Sequence, residues 1–209
     1  MNTPLQRRLC ARLLLASLAL SGLLAGCAPL LLGGAAVGGA LMYKDRRTTG
    51  TQLEDEGIEL KASARLRERL GDKAHLNVTS YNRIALVTGE VASDGDRAVV
   101  DEVVAKVENV RSVVNESAVM GITSMTARSN DLIITSRTKA ALIDASDLPA
   151  TAVKVVTERG VVYLLGRVTE REASRATEVA RAVSGVAKVV KVFEIITDDE
   201  LKALSTEKR

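Results

Sequence analysis

Ile84-Ala-Leu-Val-Thr-Gly-Glu-Val-Ala-Ser93 and Val161-Val-Tyr-Leu-Leu-Gly-Arg-Val-Thr-Glu170 are two versions of one passage. Each runs into a helix-like stretch and then a valine-rich close, Val107-Glu-Asn-Val-Arg-Ser-Val-Val-Asn115 or Val183-Ser-Gly-Val-Ala-Lys-Val-Val-Lys191. Gly89 aligns with Gly166, Val91 with Val168 and Val110 with Val186. The offset falls from 77 to 76 between the last two pairs, which places a one-residue loss in the loop near Asp94–Arg97. A repeat of this length is one supersecondary unit written twice, so the architecture is decided by how one copy folds.

Each copy parses as helix, strand, strand, helix, strand. In the first, Ile58, Ala62, Arg65 and Leu66 recur at helical spacing. Leu76–Ser80 and Ile84–Val91 are β-rich runs around Tyr81-Asn82-Arg83, as in a hairpin. Val99, Val100, Val103 and Val107 then share one helical face, matched in the second copy by Ala176, Val179, Ala180 and Val183. Valine is a mediocre helix former, yet the period is 3.6 and not 2. Asn109 and Gly185 stand where a helix end often requires a left-handed residue. A strand–helix–strand crossover usually lays the last strand parallel to its neighbour. The expected class is α+β: tandem α-β-β-α-β domains over 54–122 and 130–197, each a small three-stranded mixed sheet covered by two helices, with a polar tail over 198–209.

Upstream of the repeat, Arg7, Arg8 and Arg12 precede an apolar run from Leu13 to Leu24, and Leu24-Ala-Gly-Cys27 follows. A secretory signal has the same basic and apolar logic but ends in a small-x-small site. Small residues before a cysteine are instead the pattern of a lipoprotein signal. Residues 1–26 are expected to be removed and the Cys27 thiol to carry an N-acyl diacylglycerol. Residues 27–53 begin glycine-rich and apolar. The stretch between Cys27 and Tyr43 falls short of the roughly 20 residues that span a bilayer. It reads as a flexible tether or as a segment lying in the leaflet beside the anchor.

Processing changes the charge balance. The chain has 29 basic and 26 acidic residues. Residues 1–26 take away three arginines and no acid, leaving 26 of each. The basic pI therefore belongs mostly to the signal and does not argue for a nucleic-acid partner. Cys10 leaves with the signal and Cys27 is acylated, so no disulfide can form. With no Trp and one Phe, the cores must be built from Val, Leu, Ile and Ala. His75, the one histidine, sits just before a strand as a surface or edge residue. Without free cysteines or further histidines, the common soft-metal sites cannot be assembled. A Ser-His-Asp arrangement would have to use His75, and no Gly-x-Ser-x-Gly elbow accompanies it. There is no phosphate loop. A non-enzymatic protein without a cofactor is expected.

Val168-Thr-Glu-Arg-Glu-Ala173, Ala180-Arg-Ala-Val-Ser-Gly-Val186 and Asn77-Val-Thr-Ser-Tyr81 resemble the BON domain of bacterial envelope proteins. With the Cys27 signal in front of two such domains, the chain resembles the division- and outer-membrane-stress-associated lipid-binding lipoproteins. That resemblance implies the α-β-β-α-β order and a non-enzymatic protein at the periplasmic side of the outer membrane. It also implies a role in membrane integrity, with an association with the division site, and binding of anionic phospholipid by the first helix of the second domain. Members can have a tryptophan near the start of that helix, where this chain has Leu132. Ala28, where enteric-type lipoproteins use aspartate for inner-membrane retention, agrees with outer-membrane sorting.

The two first helices differ in a way that locates this face. With Asn130-Asp131 taken as the cap, Ile134, Thr138, Ala141 and Leu142 form the core face. The opposite face holds Leu132, Ile133, Ser136, Ala140 and Ile143, flanked by Arg137 and Lys139. The first copy has Glu56, Gly57, Leu60, Ala64 and Arg67 there. A helix apolar on two faces and rimmed by bases suits an anionic membrane surface, with phosphatidylglycerol or cardiolipin as the expected ligand. Packing of the same face against the first domain is the structural alternative. An adaptor that binds another envelope protein is the functional one.

Overall fold

Asn82 and Arg83 have φ of 50° and 66°, and Arg159 and Gly160 have φ of 52° and 72°. Two consecutive left-handed residues make the tight turn whose twist matches a β-hairpin. In the computed structural model, which describes residues 45–207, these turns end the first strand of each hairpin. The signal 1–26, Cys27 and the tether as far as residue 44 lie outside the described residues. The first copy comprises α1 (Thr49–Leu70), β1 (His75–Tyr81), β2 (Ile84–Val91), α2 (Asp94–Ala105) and β3 (Ser112–Asn115). After Glu116 and Ser117 the ladder resumes as β4 (Ala118–Val119) against the end of β2. The second copy comprises α3 (Met125–Asp144), β5 (Lys154–Glu158), β6 (Val161–Val168), α4 (Glu170–Arg181) and β7 (Lys188–Ile195).

Both sheets are mixed, as the repeat predicts. β2 pairs antiparallel with β1 and parallel with β3, and β6 pairs antiparallel with β5 and parallel with β7. Asn109 and Gly185 have φ of 69° and 95° after the second helix of each copy. The predicted tail is helical over α5 (Asp198–Glu207). Glu200 accepts from the Thr197 N–H while its own N–H donates to the Thr197 hydroxyl.

Three local readings need correction. Arg65 is not a core residue: Ile58, Ala62, Leu66 and Leu70 are buried, while Arg65 reaches sideways to the Lys106 carbonyl. The residue lost between copies is Ala92, because Ser93 and Thr169 cap equivalent helices. Asn130-Asp131 is no helix cap either. α3 begins at Met125, and the Ser124 hydroxyl accepts from the Ala127 N–H. The buried Asp131 carboxylate instead accepts from the N–H groups of Arg159 and Gly160, both at 2.8 Å. Asp55 does the same for Asn82 and Arg83. Left-handed turn residues leave their amides without a ladder partner, and a carboxylate from the preceding helix satisfies both.

The two domains pack through their sheets. Ala85, Val87 and Val91 alternate toward α1 and α2, and Val162 and Leu164 lie in the helix-covered core of the second domain. The residues between them point the other way. Tyr81 and Leu86 meet Tyr163, Leu165 and Val192 in a shared core. Each leucine there contributes about 1.5–3 kcal/mol by burial. Polar groups complete the seam. Glu158 accepts from Asn77 and Thr88. Arg159 donates to the Gly89 carbonyl and to Glu90, both at 2.9 Å. A strap just before α1 crosses the same seam. Arg46 binds Glu172 and the Arg167 carbonyl. Arg47 binds Asp55 and lies over the Tyr81 ring, 4.1 Å from its centroid.

Candidate functional site

α3 owes its placement to one buried stripe, Asp131, Ile134, Thr138 and Leu142. Asp131 ties it to the hairpin turn, and the Thr135 hydroxyl meets that of Thr157 at 2.7 Å. Because the domains meet through their sheets, the far side of α3 is left open. Leu132, Ile133 and Ile143 are 70%, 49% and 68% exposed. The first domain does not cover them, which removes the inter-domain packing alternative. Ser136 and Ala140 are also exposed, and the Ser136 hydroxyl donates back to the Leu132 carbonyl at 2.9 Å.

Met125 and Arg128 were missed by the sequence reading, which started the helix too late. At about 100° per residue, Met125, Leu132 and Ile143 fall within about 20° of one another. Met125 is 73% exposed, so the apolar stripe runs about 27 Å along the helix. By the same projection Arg128 and Lys139 border one side and Arg137 the other. None of these three bases has a carboxylate partner among the described residues. Elsewhere pairing is frequent: Arg46, Arg83, Arg111, Arg159 and Arg175 all hold acids. The Arg128 guanidinium instead approaches the Met125 sulfur at 3.9 Å. The first domain offers a weaker counterpart, Leu53 and Leu60, with Glu56 and Lys61 exposed between and beside them.

The BON domain family profile matches residues 54–121 and again 130–197. The chain belongs to the BON domain family. The two BON domains are those that the repeat and the resemblance predict. The chain is 37% identical over 175 residues to the outer membrane lipoprotein DolP of Haemophilus influenzae, covering 83% of this chain and 90% of that one. It is 34% identical to a 21 kDa hemolysin of Actinobacillus pleuropneumoniae, over 73% of this chain and 79% of the relative. A third BON relative, the osmotically-inducible protein Y of Escherichia coli K12, is 31% identical over 67% of this chain and 72% of its own.

The remaining chemistry is structural. His75 opens β1, with its Nδ1 3.5 Å from the Glu90 carboxylate. Burial alone would raise the Glu90 pKa. Hydrogen bonds from Thr123 and Arg159 outweigh it and hold the group below the usual carboxylate range. No group of three or more His, Cys, Asp or Glu that could hold a metal occurs among the described residues, and no helix among them is long and apolar enough to cross a membrane.

Proposed function

We propose that this chain is an outer-membrane lipoprotein, anchored by acylated Cys27 and facing the periplasm, whose second BON domain reads anionic phospholipid through α3. The reading extends to support of outer-membrane integrity, including at the division site. The observation that carries it is the α3 face. Met125, Leu132, Ile133 and Ile143 stand exposed, and Arg128, Arg137 and Lys139 rim them without acidic partners. An amphipathic helix lies in a membrane interface with its apolar face down and its bases among headgroups. Each base near an anionic surface contributes about 1 kcal/mol. The name of the Haemophilus relative supports the location. The test is flotation of the unlipidated chain with phosphatidylglycerol vesicles. Ile133→Glu and Ile143→Glu should each lower the bound fraction several-fold at unchanged thermal stability, because an exposed site has little packing to lose. Unchanged binding would remove α3 from the function.

A further inference from the structure

The first BON domain has a strand edge that is more open than its counterpart in the second, where Val155, which matches Val78, is buried. β1 lies at the margin of its sheet. The carbonyls of Val87, Gly89 and Val91 all point away from it, accepting from Glu116, Arg159 and Met120. Val78 and Leu76, opposite Val87 and Gly89, therefore sit in non-hydrogen-bonded pairs and turn their own N–H and C=O outward. Ser80 shares this phase and is sealed: its N–H donates to Glu59 and its carbonyl accepts from Lys154. The outward groups of Leu76 and Val78 have no partner among the described residues. Beside them lies a cleft of about 430 Å³ between β1 and the end of α1, lined by Ser63, Leu66, Arg67, Gly71, Leu76 and Val78 among others.

The second domain covers the matching position in part. Nine residues, 145–153, join α3 to β5, where only four, 71–74, join α1 to β1. The longer connection folds back. Leu148 and Ala150 pack on the core, and the N–H of Val153, the counterpart of Leu76, donates to the Ala150 carbonyl. Natural edges are commonly blocked by lysine, proline or a bulge. Ala74–Val78 contains none of these.

We propose that the β1 edge at Leu76–Val78, with the adjoining cleft, is a docking site for an extended segment of a partner protein, which adds a strand to the first BON sheet. The chemistry selects the occupant. The edge presents alternating donors and acceptors at a two-residue period, which an extended main chain complements. A lipid headgroup phosphate offers acceptors alone and leaves both carbonyls unmet. The cleft beside the edge is largely polar, with Ser63 and Asn77 among its lining residues and exposed Arg67 and Asp72 supplying charges, so it suits a polar extended segment. The site is separate from α3 and does not depend on the lipid reading.

The probe is a phage-displayed random octapeptide library panned on the mature protein in detergent micelles, followed by synthetic copies of the selected peptides. We expect a selected peptide to shift the Leu76 and Val78 amide resonances and to slow their hydrogen exchange about tenfold or more. N-methylating alternate peptide residues should weaken binding about tenfold in one phase and little in the other, because only one phase pairs with the edge. Ser63→Arg, which fills the cleft from a half-buried position on α1, should weaken it likewise. Failure to select a peptide that perturbs these two amides overturns the proposal, as does equal affinity of both N-methylated forms. Protection of the same amides by anionic vesicles alone would also overturn it and assign the edge to lipid.

Discussion

Arg46 and Glu172 form a two-point ion pair across 126 residues of sequence, with both contacts at 2.7 Å. The side chains are only 10% and 7% exposed. Glu172 also accepts from the Thr169 N–H in the capping box of α4. The adjacent Arg47 holds Asp55 of the first domain at 2.7 Å. Two consecutive residues next to the tether thus grip both domains across the seam that Tyr81 fills.

Arg46→Ala should therefore cost about 3 kcal/mol, because it strands a buried carboxylate. Adding Glu172→Gln should recover part of that loss, since the unpaired charge goes with it. Urea denaturation of the two variants checks both. Additive losses would mean that the pair does not act as a unit.

Acid should loosen the same seam. Burial raises the carboxyls of Glu90, Glu172 and Glu194, but hydrogen bonds and charge from Thr123 and Arg159, Arg46, and Arg111 with Asn82 outweigh it. All three are held below the usual 4.5. A lowered pKa means that the unfolded chain binds more protons in this range, so stability rises with pH there. The contribution is complete above about pH 4.5 and is lost as pH falls through the lower folded values. Thermal melts below pH 4.5 should show a steep loss for the wild type and a shallower one for Glu172→Gln.

Gly89 and Gly166 occupy matched places in β2 and β6, and the backbone carbonyls of His75 and Ala152 stand where a Cβ would project. Gly89 also has φ of 114°. Neither neighbour is a flexible side chain, so alanine at either site must shift a strand. We expect each substitution to cost at least about 2 kcal/mol. Tm values within a degree of wild type would contradict the repeat-wide reason for glycine here.

Cys27→Ala should abolish stable membrane attachment. A buried CH₂ contributes about 0.8 kcal/mol, and several acyl chains hold where one holds only marginally. Fractionation after washing checks it. A variant that still pellets with outer membranes as wild type does would show that the domains suffice.

Much of the fold was legible because the sequence states it twice. Asn109 and Gly185 are left-handed as expected but lie in turns four residues beyond the helix ends at Ala105 and Arg181, and the two hairpins set the strand pairing. The docking of one sheet on the other was not read, although its signal is present. Ile84-Ala-Leu-Val and Val161-Val-Tyr-Leu-Leu are nearly continuous apolar runs, as strands covered on both faces are. The α3 face was legible from Leu132 to Ile143 by its contrast with Glu56 and Arg67. Its beginning was not, because Asp131 has the chemistry of a cap and spends it on a turn twenty-eight residues away. Ser124, equally able to cap, went unnoticed, and Met125 and Arg128 with it. The open β1 edge depends on hydrogen-bond phase, which a single sequence does not display.

The most direct test of lipid recognition by α3 is a vesicle titration of the unlipidated chain at several salt concentrations. Three unpaired bases supply on the order of 3 kcal/mol at most, screened over about 8 Å at physiological salt. No tryptophan is present to anchor the helix at the interface. We expect weak binding that favours phosphatidylglycerol or cardiolipin over zwitterionic lipid and declines as salt rises, with the covalent anchor supplying high local concentration. Salt-independent binding, or equal affinity for neutral vesicles, would contradict recognition by Arg128, Arg137 and Lys139.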